Sequence, residues 1–527
     1  MLVPLLGTGL MQPVQCKLAL NTNGGECGPA TPNASTAFRV GIDGNTAPIG
    51  SATPTLPQPL YPGFNNVAAA AGEGFDPGFR PNSVDSFDLS IQRQFGPKVM
   101  LELGYIGRRI KHEYQPINLN AVPYMMTLGG QSFAQAYAAV ESALGCATSV
   151  VACGANPSVT VPAQPFFEAA LAGTGYCTGF ATCTDAVVAN EGPNGTGNLT
   201  SQSVWSIWSD LDQGGINGAP GGGTNPGFNF PRSLLNTPIA STCTATNTFG
   251  CSGQVSGGIG DNGSFGWGNY NGAFVTFKTT DWHGVTSQQN FQWSKTLGTG
   301  AFVQASSEYT TDDPFNIGTM YGRQAFDHKF VYNLYIAYTP TVYRGQQGLL
   351  GRALGGWSFA PIFTAGTGGP QPCFTANGQS QAFGAGDGAN FFDNEECIFT
   401  QQPKTGVYKT FTPASGGNAA FTTVNLFADP ATALANSRPP ILGIDTHDNG
   451  VGSISAPSYW NMSLQVTKNI RMTERFSVEA QLMMVNVFNH VVFNSDPMDY
   501  GSLGSWGDIS AQVNQPRQLE LGARINF

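Results

Sequence analysis

The last eleven residues of the chain, Arg517 to Phe527, alternate without a break between apolar and polar side chains. This period of two predicts a β-strand with one apolar and one polar face. The apolar positions are Leu519, Leu521, Ala523, Ile525 and Phe527, and Gln518, Glu520, Gly522, Arg524 and Asn526 lie between them. Such a strand is typical of an outer-membrane β-barrel, and it also fits a buried edge strand of a soluble all-β protein.

The composition is unusual both for a helical membrane protein and for a cytosolic protein. Charged residues make up only 11% of the 527 residues, whereas glycine occurs 68 times and aromatic residues reach 11%. No run of about eighteen apolar residues occurs, which excludes a transmembrane helix, while a membrane-spanning strand needs only ~9–11 residues. The formal net charge is −10 and the chain has no basic stripe, so nucleic acid is not expected as a partner.

The ten cysteines form five pairs that are close in sequence, and each pair lies in a segment rich in Gly, Pro, Asn or Thr. This arrangement predicts small disulfide bridges on loops in an oxidising medium. The expected pairs are Cys16 with Cys27, Cys146 with Cys153, Cys177 with Cys183, Cys243 with Cys251, and Cys373 with Cys397. A zinc site is the weaker interpretation, because the spacings are not CxxC and the five histidines are scattered.

Residues 1–86 are predicted to form a loop-rich segment, because Gly, Pro, Asn and Thr dominate and only short pieces such as Ala37 to Ile42 resemble a strand. Met1 to Gly9 is apolar but lacks the basic start and the small-residue cleavage site of a signal peptide. We therefore expect that the true N-terminus is missing and that this segment is truncated. Residues 87–527 are predicted to be the barrel domain.

Strand patterns begin at Phe87 to Phe95 and Val99 to Ile106, which a Gly96-Pro97 turn joins into a β-hairpin. Further strands are predicted at Ala273–Lys278, His283–Ser294, Ala301–Tyr309, Phe330–Tyr338, Trp357–Ala365, Trp460–Thr467 and Phe476–Met484. With the closing strand they make about ten antiparallel strands, too few for a wide barrel. We therefore expect an open half-barrel, with Phe87 to Phe95 near one free edge and Leu519 to Phe527 at the other.

The two faces of the closing strand should have different surroundings. We expect Leu519, Leu521, Ile525 and Phe527 to face lipid, and Gln518, Glu520 and Arg524 to face the lumen. The reason is that a charged side chain on the lipid face at mid-bilayer costs roughly 2–4 kcal/mol.

Strand alternation disappears over about residues 111–265 and 366–455, and both stretches exceed the loops of a compact soluble domain. Outer-membrane barrels carry such insertions as extracellular loops. Three short helices are predicted in the first insertion. One begins with a Ser132/Gln135 capping box, one spans Phe166–Leu171 after Pro165, and one carries Val204, Trp205, Trp208 and Leu211 on one face. Their aromatic residues are expected to pack a small core belonging to the loop.

Five segments recur in a characteristic order along the chain. They are Phe87–Phe95 (FDLSIQRQF), Leu101–Gly107 (LELGYIG), Gly355–Ala365 (GGWSFAPIFTA), Tyr459–Leu464 (YWNMSL) and Val485–His490 (VNVFNH). Together they resemble the barrel of Oar-like TonB-dependent outer-membrane transporters, over roughly Gly63 to Phe527. The resemblance implies a barrel of about 22 strands closed by an N-terminal plug, with a short box that engages TonB. The sequence shows neither plug nor box, so we expect the C-terminal part of such a transporter.

The end of the chain carries a second resemblance. Phe527, preceded by apolar residues at every second position, is similar to the signal by which barrel-assembly machinery recognises bacterial outer-membrane proteins. This implies the outer membrane of a Gram-negative bacterium. The expected partners are outer-membrane lipid, the assembly machinery, and TonB through a plug domain that this chain does not contain.

Motifs for catalysis and cofactor binding are missing from the sequence. No GxSxG, HExxH, P-loop or dinucleotide fingerprint occurs in its required strand-to-helix context, so neither an enzyme nor a cofactor is expected. Asp281, Trp282 and His283 are not accompanied by a placed nucleophile. The acidic clusters Asp393–Glu396 and Asp445–Asn449 could offer oxygen ligands to Ca²⁺, but they lack EF-hand spacing, and a solvated loop surface is the favoured interpretation.

Three functions fit these patterns. The leading hypothesis is a transport or receptor barrel that takes up a substrate too large or too scarce for porins, with energy supplied through TonB. The second is a surface binding or adhesion protein in which a barrel anchors the disulfide-bridged loops. The third and weakest is a secreted soluble β-rich protein. A plug-encoding reading frame directly upstream would favour the first.

Overall fold

The computed structural model describes residues 72–118, 121–156, 158–173, 175–213, 259–299, 313–371, 373–374, 382–384, 397–412, 421–445, 452–473, 475–494 and 498–527. Several sequence predictions lie outside these residues and remain predictions. They include the loop-rich segment up to residue 71, the strand Ala301–Tyr309, the acidic cluster Asp393–Glu396, residues 446–449 of the second acidic cluster, and the pairs Cys16/Cys27 and Cys243/Cys251.

Most of the regular structure consists of β-strands. They are β1 (Gly72–Phe75), β2 (Ser83–Phe95), β3 (Val99–Asn118), β4 (Thr127–Leu128), β5 (Gln131–Ser132), β6 (Ile259–Trp282), β7 (Val285–Gly298), β8 (Gly322–Arg323), β9 (Phe330–Tyr338), β10 (Trp357–Gly366), β11 (Cys373–Phe374), β12 (Ile398–Phe399), β13 (Thr405–Thr412), β14 (Phe421–Phe427), β15 (Ser437–Arg438), β16 (Tyr459–Arg471), β17 (Ser477–Val485), β18 (Phe493–Asn494), β19 (Met498–Asp499), β20 (Ala511–Gln512) and β21 (Gln518–Asn526).

Six short α-helices accompany the strands in the described residues. They are α1 (Phe133–Ala143), α2 (Pro165–Leu171), α3 (Cys183–Glu191), α4 (Val204–Gln213), α5 (Gly348–Leu354) and α6 (Pro430–Ala435). The three predicted helices correspond to α1, α2 and α4, and the predicted capping box at Ser132 and Gln135 is present. Within the described part of the chain, none of the helices is long and apolar enough to cross a membrane.

One eleven-stranded sheet dominates the fold. Its order is β2-β3-β6-β7-β9-β10-β16-β17-β21, each neighbour antiparallel to the next, so the chain meanders through the sheet. The short strands β1 and β8 add to β6 and β7. Among the described residues, β2 and β21 are the two edges and do not pair with each other, as expected for an open sheet.

The connections separate into two classes at the two ends of the sheet. At one end, β2 turns into β3 through Gly96, whose φ of 68° suits a tight turn, and β6 turns into β7 through His283 and Gly284. At the other end lie the long connections 119–258, 299–329, 367–458 and 486–517. Short periplasmic turns and long extracellular loops are the pattern of outer-membrane barrels.

The paired strands extend into the predicted first insertion at both of its ends. Strand β3 continues to Asn118 and β6 begins at Ile259, where the sequence predicted a loop over about 111–265. These extensions pair with each other, although Ile259–Phe265 contains two glycines and Lys111–Asn118 contains a proline. Backbone pairing therefore continues where side-chain alternation has ended. The predicted domain boundary at residue 86 falls inside β2.

The strand register sorts the side chains of the sheet onto two faces. On the face that we call the outer face, Leu521 lies beside Leu482, and Leu482 lies beside Val466, which in turn lies beside Phe359. On the opposite, inner face, Glu520 lies beside Met483 and Arg524 beside Glu479. The apolar and polar alternation of the sequence thus becomes a mainly apolar outer face and a mainly polar inner face.

Candidate functional site

The register aligns seven polar side chains in one row across the inner face. From β2 to β16 this polar row consists of Gln92, Glu102, Thr276, Asn290, Asn333, Thr364 and Asn461. The adjoining row on the outer face is almost entirely apolar: Ile91, Leu103, Val275, Phe291, Tyr332, Ala365 and Trp460. The polar row is therefore a continuous hydrogen-bonding surface that carries a single carboxylate.

Neighbouring side chains on the inner face bond to one another. Gln92 Nε2 donates to Glu102 Oε1 at 2.9 Å, and Asn290 Nδ2 donates to Thr276 Oγ1 at 3.1 Å. Gln292 Nε2 similarly donates to the hydroxyl of Tyr270 at 2.8 Å. Such cross-strand bonds order the side chains of the inner face, because each bond fixes the rotamers of both partners.

The aromatic ring of Phe274 also belongs to the inner face, and it packs over Gly104 of the next strand. A Cβ atom on Gly104 would lie 2.2 Å from Cζ of Phe274, a distance that no real side chain tolerates. Glycine at this position therefore lets the ring lie against the sheet.

At the extracellular end, the described parts of the long connections form a second structural unit, which we call the cap. The helices α1, α2, α3 and α4 enclose a fully buried aromatic core, in which the rings of Phe133 and Trp208 meet edge to face at 5.0 Å. Phe166 and Tyr137 are also fully buried here. The prediction that the aromatics of the first insertion pack an internal core is confirmed.

The second long insertion completes this same core. Phe383, Ile441 and Leu442 of the later insertion are buried among the residues of the first. Val122 N donates to the carbonyl of Gly384 at 2.9 Å, which joins the two backbones directly. The sequence predicted two separate loops, and nothing in their local patterns indicated that they fold together.

A smaller core joins the second insertion to the connection before β21. The rings of Phe427 and Trp506 stack at 4.9 Å, and Asn425 Nδ2 donates to the carbonyl of Trp506 at 3.0 Å. The bonded pair Cys373 and Cys397 lies in this core. The cap therefore unites three of the long connections.

Three of the five predicted cysteine pairs are bonded in the structure, each within the cap. Cys146 is joined to Cys153, Cys177 to Cys183, and Cys373 to Cys397. Among the described residues, one group of potential metal ligands lies close together, namely Glu141, Cys146 and Cys153. Because the two sulfur atoms are bonded to each other, they offer no thiolate to a metal ion.

The helix α3 was missed by the sequence analysis although it begins with a recognisable cap. Thr182 Oγ1 accepts from Asp185 N at 3.0 Å, the pattern of an N-cap. Glu168 of α2 adds two further bonds, accepting from Cys183 N at 3.0 Å and Thr184 N at 2.8 Å. A carboxylate at a helix N-terminus is favoured by both the free N–H groups and the helix dipole.

An ion pair and several hydrogen bonds hold the cap to the strand ends. Arg323 Nε donates to Asp327 Oδ2 at 2.7 Å, and Arg323 Nη1 reaches the carbonyl of Gly452 and Oγ of Ser455, both at 2.9 Å. The hydroxyl of Tyr124 lies 2.8 Å from Asp313 Oδ1. These contacts tie residues near β8 to both insertions.

The contacts of Asp445 do not fit the alternative of a calcium ligand. Both carboxylate oxygens accept from the guanidinium of Arg438, at 2.6 Å and 3.0 Å, and the two side chains are nearly buried. Asp445 is therefore a partner in an internal ion pair, and the interpretation as a solvated loop surface is wrong at this residue.

Glu141 is a completely buried carboxyl group within the cap core. Burial raises the pKa of Glu141 to about 8, and the hydrogen bonds of Gln202 and Tyr137 oppose this shift only in part. The amide of Gln202 donates to Glu141 Oε2 at 3.2 Å. Glu141 is consequently expected to carry a proton at neutral pH.

A second acidic cluster joins the end of α3 to α4. Asn198 Nδ2 donates both to Glu191 Oε2 at 2.9 Å and to Asp210 Oδ2 at 3.0 Å, and the Tyr176 hydroxyl donates to Glu191 Oε1 at 3.1 Å. Burial raises the pKa of both carboxyls, and burial together with the neighbouring charge of Glu191 raises that of Asp210 to about 7. The pair should therefore hold one proton between them near neutral pH.

Comparison with solved structures finds outer-membrane proteins at low similarity. They include the outer membrane transporter YddB from Escherichia coli, with 8% identity and a TM-score of 0.31, matching 86% of this chain and 34% of that chain. The pyoverdine receptor FpvA from Pseudomonas aeruginosa, bound to pyoverdine, has 7% identity and a TM-score of 0.28, over 85% and 30%. The siderophore receptor PirA from Acinetobacter baumannii has 9% identity and a TM-score of 0.27, over 85% and 32%.

The chain thus spans about a third of the length of these structures. No curated protein sequence matches it. The family profile described as "Outer membrane beta barrel domain" matches residues 14–175 and 197–520, most of the chain. With its apolar outer face, polar inner face and two classes of connection, the chain belongs to this family of barrel domains of the Gram-negative outer membrane.

Proposed function

We propose that the chain forms barrel strands of an Oar-like TonB-dependent transporter or receptor, which takes up a substrate too large or too scarce for porins. In this proposal TonB acts through a plug domain. The five sequence segments that resemble this class support it, together with the size of the extracellular cap. The proposal assigns the chain no catalytic step.

The observation that carries the proposal is the polar row on the inner face. Six of its seven side chains are uncharged amides or hydroxyls, so the polar row offers many hydrogen bonds and little net charge. A solute that passes along the sheet exchanges its hydrogen bonds to water for hydrogen bonds to the polar row. A polar and weakly charged substrate, such as an oligosaccharide or a peptide, suits this surface best.

Uptake by the native host tests the proposal. Radiolabelled dextran oligosaccharides and peptides above the porin size limit would be offered to the parent strain and to a deletion strain, with and without a protonophore. We expect accumulation to fall on deletion and to fall equally with the protonophore. Replacement of Asn290, Asn333 and Thr364 by leucine should lower accumulation, whereas the neighbouring outer-face change Val275→Leu should not.

A surface binding or adhesion protein is the second candidate. The cap favours it, because two hydrophobic cores and three disulfide bonds make a rigid surface that does not need a transport pathway. In that case the cells would bind the labelled probes, or adhere to a solid surface, to the same extent with and without the protonophore. Binding that depends on the gene but not on the proton gradient would therefore replace the transport proposal with this one.

A further inference from the structure

Lys468 is a charged side chain on the mainly apolar outer face. It lies in β16 between Val466 and Ile470, and its neighbours across the sheet are Trp357 and Ala480. A lysine on this face would meet lipid, where an ammonium group is costly. Yet Lys468 is only 9% exposed, so another part of the chain covers it.

The cover is the C-terminal end of α5. The Lys468 ammonium donates to the carbonyl oxygens of Arg352 at 2.7 Å and Ala353 at 2.9 Å, and also to that of Gly355. A cation is favoured at these carbonyls, because they are the unpaired acceptors and the negative dipole end of the helix. The same ammonium lies 4.8 Å from the centre of the Trp357 ring.

Further contacts fix this segment against the sheet. Trp357 Nε1 donates to the carbonyl of Ala353 at 3.0 Å. Gln346 donates to the carbonyl of Asn469 at 2.8 Å and accepts from Arg471 N at 2.9 Å. Gly356, with a φ of 76°, approaches so closely that a Cβ atom would lie 2.1 Å from the Asn469 carbonyl oxygen. Since Lys468 and Trp357 both project from the outer face, α5 lies on that face.

The exposed surface of α5 is strongly apolar. Leu349 is 87% exposed, Leu350 72% and Leu354 51%, and Val342 and Tyr343 just before the helix are also more than half exposed. Exposed leucines in such a group mark a contact surface. They continue the apolar outer face beyond Trp357, at the end of the sheet that carries the short turns.

The charges of this segment fit an anionic surface. Residues 339–357 contain Arg344 and Arg352 but no acidic residue, although the whole chain has a net charge of −10. Both arginines are exposed. Leucines beside cations are the composition of helices that lie in the interface of a membrane, with leucines among acyl chains and cations at headgroup phosphates.

We propose that α5 is an interfacial anchor embedded in the periplasmic leaflet, where it binds glycerophospholipid and is held in place by Lys468. The leucines contact the acyl chains, and Arg344 and Arg352 contact the phosphate groups. Lys468 is a positioning residue, because it acts through the carbonyls of α5. The proposal rests on the outer-membrane location alone and is independent of transport.

Photocrosslinking in isolated outer membranes tests the proposal. A benzophenone amino acid would replace Leu350, the membranes would be irradiated, and the adducts of the purified full chain would be identified by mass spectrometry. We expect glycerophospholipid adducts at a yield at least half of that from Leu521 on the outer face. The same probe at Val513 in the cap, which is 62% exposed, should give less than a tenth of that yield.

Other products at position 350 would overturn the proposal. A protein adduct would show that a periplasmic partner covers α5. The absence of any adduct would show that α5 is exposed to water. Lys468→Met, combined with the probe at 350, should lower the phospholipid adduct at least fivefold and leave the adduct at 521 unchanged. An unchanged yield at 350 in this variant would remove Lys468 from the proposal, and protease resistance of each variant would establish that it is folded.

Discussion

Arg438 and Asp445 form a two-point ion pair inside the cap, with Nη1 and Oδ2 at 2.6 Å and Nη2 and Oδ1 at 3.0 Å. Oδ2 also accepts from the backbone N of Ile441 at 2.8 Å. The pair therefore closes the turn that carries Ile441 and Leu442 into the helical core. This turn is therefore one of the places where the two insertions, which are distant in sequence, are in contact.

Asp445→Ala should destabilise the cap strongly, because it leaves the buried guanidinium of Arg438 without a countercharge. The expected loss in free energy of unfolding is about 3–5 kcal/mol. Denaturant titration of the detergent-solubilised protein, followed by tryptophan fluorescence, would measure it. Asp429→Asn at the start of α6 is the control and should cost little, since asparagine also caps helices. Equal losses in both variants would contradict the role assigned to the ion pair.

The buried carboxyl of Glu141 should make the cap less stable in alkali. Its pKa is raised to about 8 from an ordinary value of 4.5, so the folded state holds the proton more tightly than the unfolded state. The resulting stabilisation is fully present below about 4.5 and is lost as the pH rises through about 8. The melting temperature should therefore fall between pH 6 and pH 9.

Glu141→Gln should reduce this pH dependence, because glutamine keeps the shape but cannot ionise. Part of the slope should remain, since the pKa values of Glu191 and Asp210 are raised as well. Asp88→Asn on the inner face serves as the comparison, and its melting temperature should depend on pH in the same way as that of the unchanged protein. Identical melting curves for Glu141→Gln and the unchanged protein at all pH values would exclude Glu141 as a source of the effect.

Gly104→Val should disturb the inner face, because its side chain would occupy the position of the Phe274 ring. We expect a loss of roughly 1–3 kcal/mol, the usual cost of overpacking. The second change Phe274→Leu should restore part of the loss by freeing space. Gly504→Val is the matched control, since a Cβ there meets no atom within 4 Å. Thermal melting would compare the unchanged protein, the two single variants and the double variant. A Gly104→Val protein as stable as the unchanged protein would show that the Phe274 ring can move without cost.

The two faces of β17 can be compared at neighbouring positions. Leu482 lies on the outer face beside Leu521, and Gln481 lies on the inner face beside Gly522. Leu482→Arg should lower the amount of folded protein in the outer membrane, because the charge costs roughly 2–4 kcal/mol at mid-bilayer. Gln481→Arg should be tolerated. Immunoblots of membrane fractions would measure both, and the reverse result would invert the assignment of the faces.

The terminal Phe527 is 94% exposed, so it adds little to packing within the described residues. If it belongs to an assembly signal with Leu519, Leu521, Ala523 and Ile525, Phe527→Ser should reduce the outer-membrane level severalfold without changing the melting temperature of purified protein. Val513→Ser, at another exposed apolar residue, should change neither. A normal membrane level of the Phe527→Ser protein would speak against the signal.

The sequence by itself determined the membrane strands, because the two-residue period is a local property. Strands β9, β16, β17 and β21 agree with their predicted positions to within a few residues, as does the first hairpin of β2 and β3. The capping box of α1 and the proline at the start of α2 were also local signals, and both helices are present.

Only the tertiary structure decided what the strands and insertions build together. The polar row arises from register, which depends on pairing between strands far apart in the chain and has no signature within any one strand. The shared core of the cap depends on Ile441 and Leu442 meeting helices that lie more than two hundred residues earlier. Lys468 gave no local signal either, because its carbonyl partners belong to α5, and hydrogen bonds between distant segments leave no period in the sequence.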